Sequence, residues 1–350
     1  MAFYQCSKCK RIWQYPIEKC PECFLKLERM SSNKIKVIGI SKVTIPTLFH
    51  PKVPYFVLVL EDEKGNKWVQ KSVKEYKIGD DFSIQKELIS FKDAVAIWRI
   101  KYDILEGIEK VVELVGGIKV NPNAKILILP TLISAKHPYF AENTSPQFLE
   151  SLIRYLTERG AELENIKVCG QSFDEIPIEA SAQKSQLLKV CQDYKILPLD
   201  LARTNFLKKN EGNLTFEISE EVFNSDLIIN LPILKMGKIS APENILKLLK
   251  KENYLGLKYL YSEEEIIENL NQILPQYLTI AEAQSVQKSD QFIVFPGLIF
   301  ASFNPLNLER VFFEITSQKN LPEILKGVKI ENIPIVGRKI EELQYEVEKY

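Results

Sequence analysis

Lys125-Ile126-Leu127-Ile128-Leu129 and Asp226-Leu227-Ile228-Ile229-Asn230 are nearly unbroken apolar runs of strand length. A strand with one wet face alternates apolar and polar side chains. A run without alternation belongs in a sheet covered on both faces, the habit of parallel sheets. Ala94–Ile100, Ile166–Cys169 and Lys195–Pro198 have the same character. Between the runs lie stretches of helical pattern: Leu105–Val115, Pro146–Arg159, Ser181–Cys191 and Ser262–Ile273. Pro146 suits the first turn of a helix, with Ser145 or Thr144 before it as cap. The alternation predicts an α/β domain with an open, mostly parallel sheet covered by helices. Further along, Phe292–Phe295 is expected as a strand, and Pro305–Ile315 and Glu341–Lys349 as helices.

Upstream the pattern changes. Lys34–Val43, Tyr55–Glu61, Lys67–Ser72 and Asp81–Leu88 read as short strands, with turns at Glu63-Lys64-Gly65-Asn66 and Ile78-Gly79-Asp80-Asp81. Gly65 is free to take positive φ. Strands of this length and spacing fit a small barrel of the OB type. Before them, Cys6, Cys9, Cys20 and Cys23 form two C-x-x-C knuckles. Such a pair brings four thiolates to the corners of one tetrahedron, which suits Zn²⁺ at about 2.3 Å per bond and leaves no open position for water or substrate. A structural zinc is expected, with rubredoxin-like iron as the alternative. So small a segment depends on metal ligation for its folding free energy. The expected organisation is multidomain: a rubredoxin-like zinc ribbon over 1–32, an OB-like barrel over 33–92 and an α/β domain over 93–350.

Composition is that of an ordinary globular protein, with 46 basic and 46 acidic residues. The first 90 residues carry 16 Lys and Arg against 10 Asp and Glu, so a mildly basic head precedes a mildly acidic body. Nucleic-acid binders show a denser basic face, and nucleic acid is not expected as a partner. Phe49, Tyr55, Phe56, Trp68, Lys67 and Lys71 offer aromatics interleaved with lysines, but they suit a half-buried sheet equally well. No run approaches the ~20 apolar residues of a membrane span. Met1-Ala2-Phe3-Tyr4-Gln5 lacks a signal-peptide pattern. A cytoplasmic protein is expected, with Cys169 and Cys191 as reduced core residues.

Cys6-Ser7-Lys8-Cys9, Cys20-Pro21-Glu22-Cys23, the strand from Pro54-Tyr55-Phe56 to Val59, and Lys77-Ile78-Gly79-Asp80 occur in an order that resembles domain of unknown function 35, an acyl-CoA-associated zinc-ribbon/OB family. Lys10 departs from it, standing where a glycine often follows the first knuckle. The resemblance implies a docking partner within a metabolic complex.

Thr144-Ser145-Pro146, Asp226-Leu227-Ile228-Ile229-Asn230-Leu231-Pro232-Ile233-Leu234-Lys235 and Ile333-Pro334-Ile335-Val336-Gly337 resemble domain of unknown function 362. Several of that family's polar positions are changed. Leu129 and Thr131 replace a lysine and an asparagine, Gly237 replaces a histidine, and a later lysine–asparagine pair is absent or displaced toward Asn244–Lys247. No ferredoxin cysteines are present.

Ligands of open α/β sheets collect beyond the carboxyl ends of the strands. There Gly170-Gln171-Ser172 offers backbone amides and a hydroxyl to an anion, with Lys235 as counter-charge; ordinary strand-to-helix turns are the alternative. Thr131, Asn230 and Lys235 would form the site if the domain is an enzyme. His50 and His137, the two histidines, are weaker candidates, as is Cys169 as a nucleophile. The sequence thus points to a zinc-binding accessory or ligand-binding protein of a metabolic assembly. An enzyme acting on an anionic small molecule and a nucleic-acid-binding ribbon module are the alternatives.

Overall fold

The computed structural model describes residues 2–13, 19–31, 34–45, 54–63, 65–72, 75–82, 92–100, 103–288, 292–318 and 320–347. They fall into two compact units, Met1–Leu88 and Ile89–Tyr350.

The first unit holds two small antiparallel sheets. Strands β1 (Ala2–Cys6), β2 (Ile12–Trp13) and β3 (Leu27–Ser31) run in the order β2-β1-β3 beside the cysteines. Strands β4 (Ile35–Val43), β5 (Tyr55–Asp62) and β6 (Lys67–Ser72) form a meander. Alternate residues Phe56, Leu58 and Leu60 of β5 pack with Ile35, Val37 and Trp68, as a two-residue period requires. The turn before β6 is built by Asp62, whose carboxylate accepts from Asn66 N and Nδ2 at 2.8 and 2.7 Å, with Gly65 at φ 80°. Lys77–Phe82 returns along β4 through Gly79 N to Val37 O and Phe82 N to Ile35 O, both 2.8 Å. The rest of the expected Asp81–Leu88 strand, like His50 and Phe49, lies outside the described residues.

The second unit begins with β7 (Val95–Arg99), α1 (Ile104–Leu114), β8 (Ile126–Pro130), α2 (Pro146–Glu158), β9 (Ile166–Gly170), α3 (Ile178–Lys184), α4 (Leu187–Asp193) and β10 (Pro198–Asp200). A hairpin of β11 (Phe206–Glu211) and β12 (Leu214–Ser219) leads to β13 (Leu227–Leu231), β14 (Ile233–Lys235), α5 (Ala241–Asn244), α6 (Lys251–Leu260) and α7 (Glu263–Ile273). The chain finishes with β15 (Leu278–Gln287), β16 (Ile293–Val294), β17 (Leu298–Ser302), α8 (Pro305–Ile315), α9 (Glu323–Lys326), β18 (Ile335–Gly337) and α10 (Ile340–Val347). The sheet order is β10-β9-β8-β13-β15-β17-β7-β18, with β14 and β16 also pairing with β15. Along that order only β17 runs against its neighbours, so the sheet is mostly parallel.

The two faces are read directly from β8. Ile126 and Ile128 enter a core with α1, α2 and α4, whereas Leu127 and Leu129 enter a second core with the hairpin and α5–α8. Caps set the helix starts. Ser145 accepts from Phe148 N, Ser262 from Glu265 N and Asn304 from Leu306 N, each satisfying a donor the helix leaves free.

Several elements differ from expectation. The stretch Ser181–Cys191 is two helices, broken where Gln186 takes φ 65°. Lys195 likewise has φ 57°, and its strand starts only at Pro198. The long central strand β15 carries a buried polar residue on each of its two covered faces, Thr279 on one and Glu282 on the other, which hides its strand pattern from the sequence.

Gly337 sits at φ 90°, and a Cβ there would stand 2.3 Å from Ile97 O across the β18–β7 pairing. Gly337→Ala should therefore lower unfolding stability by roughly 2–4 kcal/mol, from positive-φ strain plus the backbone clash. A urea midpoint unchanged from the parent would refute it.

Candidate functional site

Two sites emerge, one in each unit. The first is the cysteine cluster. Cys6 O accepts from Lys10 N at 3.0 Å, and Cys20 O accepts from Phe24 N at 2.8 Å; Cys6 N and Cys20 N donate to Arg11 O and Leu25 O. The two knuckles are thus the same turn used twice. Each needs a left-handed residue after its second cysteine, Lys10 at φ 59° and Phe24 at φ 56°. That conformation explains a preference for glycine at the Lys10 position. The four sulfurs lie within 4.8 Å of one another, with Cys9 and Cys20 3.6 Å apart. Tetrahedral bonds of about 2.3 Å place sulfurs about 3.8 Å apart, so this donor set fits one tetrahedral metal ion. Burial, and then its sulfur neighbours, push the Cys23 thiol up to about 12. A central cation makes four adjacent thiolates tolerable. Tyr4, Trp13 and Leu27 pack against the cluster, while Phe24 and Leu25 are exposed.

The second site is at the carboxyl ends of β8, β13 and β14. Asn244 ends α5 and is buried. Its Nδ2 donates to Leu129 O at 2.9 Å and to Asn230 Oδ1 at 2.8 Å, and its Oδ1 accepts from Thr131 Oγ1 at 3.3 Å. Asn230 in turn donates to Ala241 O at 2.9 Å. Thr144 Oγ1 accepts from Thr131 N at 2.8 Å and donates to Leu231 O at 2.6 Å. Two buried glutamates anchor the flanking helices: Glu282 accepts from Ser145 N and Glu309 from Ala241 N, both at 2.8 Å. Burial raises their carboxyls to about 7 and about 8, because a charge there would lose its water.

Above this network opens a cleft of about 430 Å³, within the range of small-molecule sites. Four lysines, Lys235, Lys238, Lys247 and Lys258, line it against three carboxylates, Asp174, Glu243 and Glu263. Lys258 pairs with Glu263 at 3.4 Å. Lys247 Nζ stands 3.9 Å from the centre of the Phe173 ring, which stacks on Tyr254. Lys235 is only 9% exposed and has no hydrogen bond or ion pair through Nζ among the described residues. Burial lowers Lys235 and Lys247 to about 8; Glu243 is exposed at the cleft, where partial loss of water and the nearby Glu263 carboxylate raise it to about 7.

The structure brings Thr131 and Lys235 to the cleft wall and places Asn230 beneath it, holding Asn244. Gln171 is buried with its Nε2 donating to Lys247 O at 2.5 Å and to Leu249 O, so it supports the lysine's loop. Ser172 donates to Asp174, and Gly170 lines a separate apolar cleft with Cys169 and Cys191. Burial pushes both of those thiols up, away from thiolate character. His137 is exposed and accepts from Tyr139 N through Nδ1. Gly237, at φ 76°, makes the turn between β14 and α5. The residues sequence reasoning passed over are Glu243 and Tyr254; Lys247 entered it only as the end of the displaced Asn244–Lys247 pair. No helix among the described residues is long and apolar enough to cross a membrane.

Residues 126–241, within the α/β unit, match the model of the family described as domain of unknown function (DUF362). No curated protein matches the chain. Among solved structures, a complex titled Ltp2–ChsH2(DUF35) aldolase is 20% identical over 23% of this chain and 68% of its own, at a TM-score of 0.20. A DUF35-family protein of unknown function from Sulfolobus solfataricus is 19% identical over 22% of this chain and 62% of its own, at 0.18. The lactate racemase apoprotein from Thermoanaerobacterium thermosaccharolyticum is 16% identical over 65% of this chain and 57% of its own, at 0.35. The chain therefore spans under two thirds of the length of the last two.

Two outcomes follow from these geometries. Cys20→Ser should reduce bound metal from about one per chain to near zero in elemental analysis, since three sulfurs cannot close a structural site; full retention would refute the centre. Glu282 and Glu309 have folded carboxyl values above the ordinary 4.5. The stability they contribute is complete below that value and is lost as pH rises through about 7 to 8. Melting temperature should accordingly fall from pH 5 toward pH 8, and Glu309→Gln, which keeps an acceptor for Ala241 N, should flatten the slope. An identical slope in the variant would exclude Glu309 as a source.

Proposed function

We propose that this protein is a zinc-stapled accessory component of a metabolic assembly whose α/β domain binds an anionic small molecule, an acyl-CoA being the specific candidate. The observation that carries the ligand is Lys235: an ammonium nine-tenths buried, without an ion pair among the described residues, in a cleft where lysines outnumber carboxylates. A buried cation is costly unless it is paired, and an incoming anion supplies the missing partner. Lys247, held against Phe173, offers a second positive group.

The docking role draws on the first unit. Its cysteine cluster is closed to substrate, so it acts as a scaffold, and Phe24, Val69 and Ile78 are 76%, 65% and 68% exposed. Exposed apolar groups on a small metal-held module suit a protein partner. An enzyme is the second reading. It is favoured by Glu243, held at about 7 in the same cleft as Lys235 at about 8, values matched to proton transfer near neutral pH.

Calorimetric titration with coenzyme A and with acetyl-CoA is the direct test. Lys235→Met and Lys247→Met should each weaken binding by about 10- to 100-fold, the worth of one charge-assisted contact. Binding that both variants leave unchanged would remove the cleft as the ligand site.

A further inference from the structure

Lys235 differs from the other lysines of the cleft. Lys258 is committed to Glu263, and Lys247 lies over the electron-rich face of Phe173, a contact that favours its protonated form. Lys235 has neither an ion pair nor an aromatic face among the described residues, and its neighbouring charges are Glu142 and Glu243 set against Lys238 and Lys136. Its backbone is fixed, with Lys235 N donating to Ser240 Oγ at 3.0 Å and β14 paired to β15. Glu243 faces the same cleft and has no hydrogen bond or ion pair of its own among the described residues. Its position is set by Glu309 at the start of α5 and by Asn244 at its end.

A desolvated amine beside an unengaged carboxyl group, with further cations in the same cleft, is the equipment for covalent capture of a carbonyl. We propose that Lys235 forms a reversible imine with a small oxo acid whose carboxylate is held by the neighbouring Lys238 of the same cleft, with Glu243 relaying the proton. The proposal rests on the cleft being an anion site and adds the chemistry done there.

The step balances without any further reagent. The Lys235 nitrogen lone pair adds to the carbonyl carbon, the C=O π pair moves to oxygen, and the oxygen takes the proton of Glu243. The nitrogen returns a proton to the Glu243 carboxylate. Reprotonation of the new hydroxyl by Glu243 then expels it as water and leaves the protonated C=NH⁺, which becomes the neutral imine when its proton returns to the Glu243 carboxylate. The burial that brings Lys235 to about 8 supplies free amine near neutral pH, and the raised Glu243 at about 7 is partly protonated there. Thr131 and Ser240 line the cleft beside them.

The full-length protein should be incubated with pyruvate and sodium cyanoborohydride near pH 7.5, digested, and its lysine peptides mapped by mass spectrometry. The reduced adduct is expected on Lys235 at about tenfold or more the occupancy of any other lysine, and absent at that peptide in Lys235→Arg. Lys238→Met should lower adduct yield while leaving its position unchanged. Pyruvate binding is measured in parallel by calorimetry on the unreduced protein. Binding without an adduct on Lys235, or adducts spread over exposed lysines, overturns the imine and leaves the anion site standing. Neither binding nor adduct removes the oxo acid as ligand, whereas coenzyme A titration separately decides whether the cleft takes anions at all.

Discussion

The side chain of Asn244 is nearly shut off from water while its amide spans Leu129 O, Asn230 and Thr131, so the ends of β8 and β13 and the short helix α5 are tied together at one buried group. Leaving any of these polar atoms unpaired in the interior would cost about 1–3 kcal/mol. That penalty forces the three elements to a common geometry. Because Glu243 and Lys247 flank Asn244 in the chain, the same network decides where a carboxyl group and an amine face the cleft.

The surrounding charges follow from this arrangement. Glu309 and Glu282 are buried because each satisfies a backbone N–H at a helix start, and burial raises both carboxyls well above the ordinary carboxylate range. Gln171 performs a related service from β9, accepting burial so that the backbone of Lys247 and Leu249 is partnered. The cleft is therefore lined by charged groups and supported by neutral ones, an arrangement that holds lysines in place without cancelling them. The cysteine cluster works by the opposite logic. There, two local turns and the pairing of β1 with β3 bring the donors together within the first 31 residues, and the surrounding core is small.

The difference explains which features could be read from residues in order. The C-x-x-C knuckles, the apolar runs of β8 and β13, and the caps at Ser145 and Ser262 depend on neighbours a few positions away, and each is visible as a local pattern. Strand β15 was invisible because Thr279 and Glu282 interrupt its two apolar faces, and their partners, Asn230 and Ser145, lie 49 and 137 positions distant. The break at Gln186 was equally hidden, since a glutamine at positive φ has no composition signal. Thr131, Asn230 and Lys235 stood out through their place at strand ends, but nothing local distinguished the cleft-lining pair from the residue beneath it.

The sequence by itself determined the class of each part: a four-cysteine metal module, a small antiparallel sheet, and an α/β unit with a mostly parallel sheet. Spacing, period and caps act over a few residues, and the physics that reads them is equally short in range. Only the tertiary structure decided that Lys235 is left unpaired among the described residues, that Lys247 leans on Phe173, and that Glu243 is raised in the same cleft. Burial and charge pairing depend on which distant segments meet. The bond between Thr131 and Asn244 joins residues 113 positions apart, and no stretch of chain holds both ends of that contact.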